Sequence, residues 1–332
     1  MTNSKKVALL SGICGQDGSY LADILLERGY EVHGIVRRSS RGYGALENIE
    51  HLFRNDEIYR KRLFLHSGDL MDATSLFRIV GEVQPDIFLN MAAQADVQES
   101  FFMPTYTIEV NGNGVINCLE AIRRCSPATR FLQASTSELF GDTKAEPQNE
   151  DTPMNPQSPY AIGKYVGYQA VKKYRESHGL FAVNAISFNH ASPRRTSDYL
   201  DRKVTLAVAR IKLGKQKELR LGNLKSRRDW SYAKDIVEGM LRIIDYEKPE
   251  DFVLGTGISC EVSEWVELVF DLANLEMEEH VVIDKKLFRP AEVDNLRADP
   301  SKAERLLGWK ASTSWQQLCR TMVEADLERE KV

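Results

Sequence analysis

Short apolar runs alternate with longer amphipathic segments through the first half of the chain, and this pattern constrains the fold more than any other feature. The apolar runs predict strands at 7–10, 31–36, 63–66, 86–90, 130–134, 181–187 and 252–255. The amphipathic segments predict helices at about 20–28, 73–83, 111–124, 159–177 and 230–244. Strands that alternate with helices favour an α/β fold in which helices cover both faces of a doubly wound parallel sheet.

The length of the chain, 332 residues, favours two linked lobes over a single core. The alternation weakens and charge rises after residue 189, which predicts a second, smaller and mostly helical lobe. The predicted first domain is 1–188 with about 229–255, and the predicted second domain is about 189–228 with 256–332. Because the chain returns to the first domain, the two domains are expected to exchange segments.

Composition argues against several classes of function. The net charge of −4 and the short, scattered basic pairs give no basic face of the kind that binds nucleic acid. No apolar run is long enough for a signal peptide or a membrane span, so no membrane partner is expected. Five cysteines without metal-ligand spacing predict neither a disulfide framework nor a metal site, and reduced thiols favour a cytoplasmic location.

The stretch SGICGQDG, residues 11–18, follows the first predicted strand and opens a helix. Gly12, Gly15 and Gly18 allow the backbone to turn tightly and approach a pyrophosphate, to which the helix N-terminus presents N–H donors. Glycine triplets also occur in ordinary strand–helix turns, so the position after the first strand is what favours a cofactor loop. The first domain is therefore predicted to be a Rossmann-like dinucleotide-binding domain.

The end of the second predicted strand indicates which dinucleotide binds. An NAD-binding fold usually has an acidic residue there for the ribose hydroxyls, whereas this chain has Arg37 and Arg38. A guanidinium matches a 2′-phosphate in shape and charge, so NADP is the predicted cofactor, and two solvent-exposed arginines are the alternative. Residues after the third and fourth strands are predicted to hold the adenine and the nicotinamide-side ribose: Asp69, Leu70, Ala92 and Ala93.

Tyr160 and Lys164 lie four residues apart in YAIGK, on one face of a predicted helix. An ammonium close to a phenol lowers its pKa, and the phenolate can then take a proton from a substrate hydroxyl while hydride leaves the same carbon. Thr136, at the end of the fifth strand, could hold the same substrate oxygen. A surface Tyr–Lys pair is the alternative, and the glycine loop together with Thr136 favours the catalytic interpretation.

Glu138 follows the same strand in ASTSELFG, residues 134–141. A carboxylate just past a buried strand contributes little to packing, and in a cleft it can act as an acid or a base. Its alternative role is electrostatic, as an acidic residue near the N-terminus of a helix.

Several stretches together resemble the extended short-chain dehydrogenase/reductases that act on nucleotide sugars, and among these the GDP-mannose 4,6-dehydratase family. They are GQDGSYLADILLERGYEVHGIVRRSS, ASTSELFG, SPYAIGK, NHASPRR, RRDWSYAKD and FRPAEVDNLRADPSKAERLLGWK, which span about residue 7 to 310. The resemblance implies an NADP-dependent hydro-lyase that converts GDP-D-mannose to GDP-4-keto-6-deoxy-D-mannose. In that reaction C4 is oxidised, Glu138 removes the C5 proton, the C6 hydroxyl departs as water, and hydride returns to C6.

The resemblance also implies further site residues. Cofactor contacts are implied at Gln16, Asp17, Gln94, Tyr106, His190 and Arg195. Substrate contacts are implied at Ser137, Asn189, Lys203, Arg228, Arg289 and Glu292. The loop 39–44 corresponds to one that reaches a neighbouring subunit's cofactor in the family, so a homodimer or homotetramer is expected.

The chain departs from the family pattern in ways that keep other functions open. Ala95, Asp96 and Ala191 stand where serine, histidine and glutamate are usual, and further replacements occur at Ser11, Cys14 and Phe140. Fewer hydrogen-bond partners and more room near the sugar leave GDP-manno-heptose as an alternative substrate. A nucleotide-sugar 4-epimerase or reductase is a second alternative, although neither needs a C5 base. A non-enzymatic NADP-binding sensor is the third, although a sensor does not need the full catalytic set.

Overall fold

The computed structural model describes residues 6–39, 42–43, 46–288 and 293–331. The chain forms two compact units, each assembled from three stretches. The first unit contains Met1–Leu139, Ser158–Ile186 and Val237–Phe252, and the second contains Phe140–Gln157, Ser187–Ile236 and Val253–Val332. The second unit thus includes Phe140–Gln157, a stretch that the predicted domain boundaries assign to the first domain.

Strands and helices alternate along the described chain. The strands are β1 (Val7–Ser11), β2 (Glu31–Val36), β3 (Arg38–Ser39), β4 (Gly42–Tyr43), β5 (Leu63–Ser67), β6 (Ile87–Asn90), β7 (Arg130–Thr136), β8 (Ala182–Ser187), β9 (His190–Ala191), β10 (Leu219–Leu221), β11 (Arg227–Arg228), β12 (Ser231–Tyr232), β13 (Phe252–Leu254), β14 (Cys260–Glu261), β15 (Val281–Ile283) and β16 (Asn295–Leu296). The α-helices are α1 (Gln16–Glu27), α2 (Glu50–Phe53), α3 (Ala73–Val83), α4 (Val97–Phe102), α5 (Pro104–Ile108), α6 (Gly114–Cys125), α7 (Pro159–His178), α8 (Leu200–Lys212), α9 (Ala233–Asp245), α10 (Val262–Leu272), α11 (Met277–His280), α12 (Ser301–Leu307) and α13 (Trp315–Lys331).

Seven of the described strands form the central sheet, in the order β13-β8-β7-β6-β1-β2-β5. The pairs β1–β2, β1–β6, β2–β5 and β6–β7 are parallel. The predicted doubly wound parallel sheet is therefore confirmed. The chain order reverses at β1, since β2 lies on one side of it and β6 on the other. Sheets of this kind bind ligands beyond the carboxyl ends of the strands at such a reversal.

Apolar strands and helix faces build the core of the first unit. Phe88 of β6 and Phe131 of β7 pack edge to face, with ring centroids 5.5 Å apart, among apolar residues of α3, α6 and α7. The helix α7 begins after Ser158, whose hydroxyl accepts a hydrogen bond from the Ala161 N–H at 3.1 Å. It ends at Gly179 in the left-handed conformation, and both ends agree with the sequence prediction.

Helices supply most of the core of the second unit. The buried Trp265 of α10 packs against Trp230 and Trp315, with ring centroids 4.7 and 6.5 Å from its own. Apolar residues of α8 and α13 complete this core. The described strands of this unit pair in short sheets, β10 with β15, β11 with β14 and β16, and β9 with β12.

Three predicted helices differ from the observed ones at their starts. The helix predicted from about residue 20 already begins at Gln16, directly after the glycine loop. The helix predicted from residue 230 begins only at Ala233, because Ser231–Tyr232 pairs as a strand with His190–Ala191. The helix predicted from residue 111 becomes regular only at Gly114, since Glu109–Asn113 forms a π-helical turn. None of the helices in the described ranges combines the length and hydropathy that a membrane crossing requires.

Candidate active site

The glycine loop lies between β1 and α1, at the carboxyl edge of the sheet. Gly12 has φ +65°, and a Cβ at this position would lie 2.8 Å from the Ala92 nitrogen. A Cβ on Gly18 would overlap the Gly12 carbonyl, which accepts a hydrogen bond from Gly15 N at 2.9 Å. The loop thus leaves the N-terminal N–H groups of α1 beside a backbone that a pyrophosphate can approach closely.

The first turn of α1 and the replaced position Ser11 make side-chain hydrogen bonds within the loop region. Gln16 Nε2 donates to Asp17 Oδ1 at 3.1 Å. Ser11 Oγ donates to Asn90 Oδ1 and accepts from the Ala92 N–H, at 3.1 Å. Burial raises the pKa of the Cys14 thiol to about 11, so this side chain adds no negative charge to the loop at neutral pH. Both replacements are compatible with a loop that binds an anion.

Arg37 follows β2 with an exposed side chain, and its Nη1 donates to the Tyr106 hydroxyl at 3.1 Å. Tyr106 lies on α5, 69 positions along the chain. The structure thus brings together two residues that the sequence assigns to cofactor binding. The side chain of Arg38 lies outside the described part of the chain, as do positions 40, 41 and 44 of the loop 39–44.

The turn after β5 is anchored on α6. Asp69 Oδ1 accepts from Met71 N at 3.0 Å, and the buried Leu70 offers its main-chain oxygen to Asn117 Nδ2 at 2.8 Å. These contacts fix the position predicted to hold the adenine.

The segment after β6 is held by a residue that the sequence analysis missed. Ala92, Ala93 and Gln94 connect β6 to α4. Gln94 N donates to Asn111 Oδ1, and Asn111 Nδ2 donates to Gln94 O, both at 2.9 Å. The buried Asn111 lies in the π-helical turn. The sequence signal for this role is that Asn111, an amide, stands at the start of an otherwise apolar helix face.

The catalytic candidates meet at the end of β7. Thr136 is its last residue, and Glu138 follows in a short 3₁₀ turn with its N–H bonded to Thr136 Oγ1 at 3.2 Å. Tyr160 and Lys164 lie on the first turns of α7, and Lys164 Nζ is 5.9 Å from the centre of the Tyr160 ring. Glu138 is partly exposed, whereas the adjacent Ser137 is buried.

Lys164 is a buried cation with one described hydrogen-bond acceptor. Its Nζ donates to the Ala134 oxygen at 2.9 Å. Burial lowers the pKa of Lys164 to about 8, and the carboxylate of Asp17 opposes this shift. The side chain is therefore cationic through the neutral range and close to losing its proton just above it.

A chain of buried hydrogen bonds links the glycine loop to this lysine. It runs from Ser11 Oγ to Asn90, from Asn90 Nδ2 to Gln133 Oε1 at 2.7 Å, and from Gln133 Nε2 to Ala134 O at 2.8 Å. The same oxygen accepts from Lys164. Asn90 and Gln133 were not identified from sequence, although amides inside apolar strands are an unusual choice for packing.

In the second unit, the segment after β8 carries three predicted site residues. Asn189 offers its main-chain oxygen to Ser231 N at 2.8 Å, and His190 Nδ1 lies 2.7 Å from the Phe188 oxygen. Arg195 lies flat against Tyr199, with its guanidinium carbon 3.8 Å from the ring centroid.

The predicted substrate contacts Lys203 and Arg228 also belong to the second unit. Lys203 Nζ donates to the Arg220 oxygen at 2.9 Å, and the buried Arg228 donates to the Val293 oxygen at 2.8 Å. Arg289 and Glu292 lie outside the described residues. Within the ranges that are described, no cluster of three or more His, Cys, Asp and Glu side chains could hold a metal ion.

Solved structures share this architecture. The chain aligns with a dTDP-glucose 4,6-dehydratase, DesIV, from Streptomyces venezuelae, solved with NAD, at a TM-score of 0.85, with 22% identity and 98% of both chains covered. It aligns with RMD from Pseudomonas aeruginosa, solved with NADPH, at a TM-score of 0.79, with 23% identity, 98% of this chain and 100% of that chain covered. At these identities the likeness shows that the chain shares the fold of these proteins.

Sequence comparison is more specific. The family model described as GDP-mannose 4,6 dehydratase matches residues 9–322. The chain is 46% identical to GDP-mannose 4,6 dehydratase 1 of Arabidopsis thaliana, covering 99% of this chain and 92% of the relative. It is 44% identical to the Homo sapiens GDP-mannose 4,6 dehydratase, covering 99% and 93%, and 45% identical to the Sinorhizobium fredii enzyme, covering 97% of each. The chain belongs to the GDP-mannose 4,6-dehydratase family.

Proposed function

We propose that this protein catalyses the NADP-dependent 4,6-dehydration of GDP-D-mannose to GDP-4-keto-6-deoxy-D-mannose. The observation that carries the proposal is Glu138, a partly exposed carboxylate two residues after Thr136, in a chain of this family. An epimerase or reductase needs the hydroxyl, the tyrosine and the lysine, but it needs no carboxylate base. Relatives named as GDP-mannose 4,6-dehydratases match nearly the whole chain and support the same substrate.

The chain's own residues divide the proton transfers between them. Tyr160 takes the proton of the C4 hydroxyl while Thr136 Oγ1 holds the same oxygen. The cationic Lys164, fixed on the Ala134 oxygen, stabilises the ionised phenol. Glu138 removes the C5 proton, which the C4 ketone acidifies, and delivers it to the C6 hydroxyl as that group departs as water. C5 takes up a proton again when hydride adds at C6, and Tyr160 gives up the proton that it took, so the turnover balances with the loss of one water. Bound NADP supplies the chemistry of hydride removal from C4 and return to C6.

The described residues fit a dinucleotide. A Cβ at Gly12 would overlap the backbone at Ala92, and one at Gly18 would overlap the Gly12 carbonyl, so glycine at both positions keeps the loop packed closely at the N-terminus of α1. The exposed guanidinium of Arg37, bonded to Tyr106, supports NADP over NAD, because it can pair with a 2′-phosphate. Arg38 would add a second charge. We therefore assign the dinucleotide to the first unit, and the family resemblance adds His190 and Arg195 as proposed cofactor contacts.

The GDP moiety is assigned to residues of the second unit. Asn189, Lys203 and Arg228, with Arg289 and Glu292, are the proposed contacts, together with Ser137. Two replaced positions have structural roles that do not favour a longer sugar. Ala191 is fully buried in the core of the second unit, and Asp96 caps α4 by accepting from Glu99 N at 3.0 Å. GDP-D-mannose is therefore preferred to GDP-manno-heptose.

A homodimer or homotetramer is part of the proposal. Apolar side chains are exposed together on α4, α5 and α7, which contact one another in the first unit: Phe102, Met103, Tyr106, Ile162 and Val166. Large exposed apolar patches mark association surfaces.

Cysteine usage continues to favour a cytoplasmic location.

The deciding experiment incubates the purified protein with NADP⁺ and GDP-D-mannose, with GDP-manno-heptose in parallel, and identifies the products by mass spectrometry. Loss of one water from GDP-D-mannose, with no net change in NADPH absorbance, is expected. If only the heptose compound lost water, GDP-manno-heptose would be identified as the substrate. NADPH consumption without loss of water would indicate a reductase, and dinucleotide binding without turnover would indicate a sensor.

A further inference from the structure

A buried ion pair joins two helices of the second unit beside the segment that carries Arg195. Arg202 of α8 and Asp326 of α13 have side chains that are 6% and 0% exposed. Arg202 Nε donates to Asp326 Oδ2 at 2.8 Å, and Nη2 lies 2.7 Å from Oδ1, so the contact is bidentate. The Thr205 hydroxyl also donates to Asp326 Oδ2, at 2.7 Å. None of these three side chains has a role in the proposed reaction.

The same guanidinium holds the segment that precedes α8. Arg202 Nη1 donates to the oxygens of Pro193 and Arg195, at 2.7 and 2.8 Å. Arg329, one turn beyond Asp326 on α13, donates to the Pro193 oxygen at 3.2 Å and pairs with Asp326 at 3.3 Å. The last helix is thereby connected to the backbone of 193–195 through charged hydrogen bonds.

The side chain of Arg195 is held as well. It stacks on Tyr199, and its Nε lies 3.7 Å from Asp201 Oδ1. Asp201 Oδ1 also accepts from Arg202 N, at 2.7 Å. Within the described residues, the buried Arg195 Nε has no hydrogen-bond partner. Asp201 therefore holds this nitrogen by charge, and Tyr199 and Asp201 together set the direction of the Arg195 side chain.

Stability alone is a poor reason for this arrangement. Taking two charges out of water costs about as much as their attraction returns, and apolar residues of similar size often replace such pairs without loss. An apolar replacement could not, however, bond the oxygens of Pro193 and Arg195. The arrangement therefore specifies a backbone position.

We propose that Arg202 and Asp326 are positioning residues, which fix the backbone of 193–195 and so hold the Arg195 guanidinium in place for the dinucleotide. This inference rests on the proposed function, in which Arg195 contacts the cofactor. Thr205 and Arg329 complete the arrangement by orienting the Asp326 carboxylate and by sharing the Pro193 oxygen.

The test compares full-length Asp326→Asn with Glu330→Gln. Glu330 lies on the same helix and pairs with Arg210 at 3.0 Å and with Lys215, so its loss perturbs α13 without touching the Arg202 contacts. Asp326→Asn is expected to weaken NADP⁺ binding about tenfold, as for the loss of a buried charged partner, while Glu330→Gln stays within about twofold. Amide hydrogen exchange of the peptide 192–199, measured without cofactor, is expected to accelerate in Asp326→Asn alone.

A double-mutant cycle separates positioning from a general loss of stability. If Asp326 acts through Arg195, Asp326→Asn adds nothing to the NADP⁺ affinity of Arg195→Ala. Additive losses, or unchanged exchange at 192–199, would overturn the inference. Thr205→Val, which removes one hydrogen bond to Asp326, serves as the test variant if Asp326→Asn does not fold. It is expected to weaken NADP⁺ binding and to accelerate exchange at 192–199 by smaller factors. A wild-type protein that binds no dinucleotide would refute the proposed function. The exchange experiment would still test whether Arg202 and Asp326 fix the backbone of 193–195.

Discussion

Lys164 and Gln133 donate to one acceptor, the main-chain oxygen of Ala134, at 2.9 and 2.8 Å. Gln133 is in turn bonded to Asn90, so the position of the lysine depends on amides buried between the strands. Any shift between β6 and β7 would therefore move the ammonium relative to Tyr160. The packing of these strands therefore also determines where the Lys164 ammonium lies.

The buried Lys164 makes stability depend on pH. Its pKa is about 8 in the folded chain and 10.5 when exposed, so between these values the unfolded chain binds the proton more tightly. The free energy of unfolding of the wild type should therefore rise relative to that of Lys164→Met from about pH 8 to pH 10.5, by up to about 3 kcal/mol. Urea denaturation of both proteins at neutral and alkaline pH measures the difference. A constant difference would mean that the lysine titrates near its exposed value.

Glu138→Gln should abolish dehydration and leave NADP⁺ binding intact. The amide keeps the size of the side chain but cannot take the C5 proton, so kcat should fall by about a thousandfold, within the range for loss of a general base. Mass analysis of the product and titration of NADP⁺ give the two readouts. Near-normal dehydration in this variant would remove Glu138 from the mechanism.

Arg37→Ser should lower the preference for NADP⁺ over NAD⁺. Loss of a charge-assisted contact to the 2′-phosphate should reduce the affinity ratio by about ten- to a hundredfold. Dissociation constants for both dinucleotides provide the measurement. Tyr106→Phe removes the hydroxyl that Arg37 contacts but keeps the guanidinium, so it should lower the ratio less than Arg37→Ser does. An unchanged ratio in Arg37→Ser would leave the choice of NADP without support from this residue.

Asp96→Ala should destabilise the fold by about 1 kcal/mol, the usual effect of losing a helix N-cap. The KM for GDP-D-mannose should stay unchanged, because the carboxylate is engaged with Glu99 N. Asp96→Asn keeps a capping oxygen and should remain close to the wild type. Thermal unfolding and steady-state kinetics test both variants. A large rise in KM with unchanged stability would instead identify Asp96 as a substrate contact.

Local patterns were sufficient to predict much of the fold. The observed bounds of β2 and α3 agree with the predicted ones, because an apolar run and an amphipathic segment carry their own signals. The glycine loop was identified because the need for glycine at Gly12 and Gly18 is local to the turn. The motif at Tyr160 and Lys164 was found because one helix face holds both residues.

Other features depend on contacts between distant stretches. Asn111 bonds Gln94 from 17 positions away, and Asn90 bonds Gln133 from 43, so neither partner can be read from a local window. The π-helical turn at Glu109–Asn113 leaves no simple spacing in the sequence. Ala191 was expected to leave room near a ligand, but it is buried in the core of the second unit, which only packing reveals.

The threading of the chain through its two units has a consequence for how specificity can be altered. Each unit draws on three stretches, which succeed one another along the sequence. A recombination event with one breakpoint therefore never transfers one complete unit without part of the other. The second unit of a relative cannot be exchanged as one continuous segment. A new sugar preference is therefore reached more readily by substitutions within each stretch.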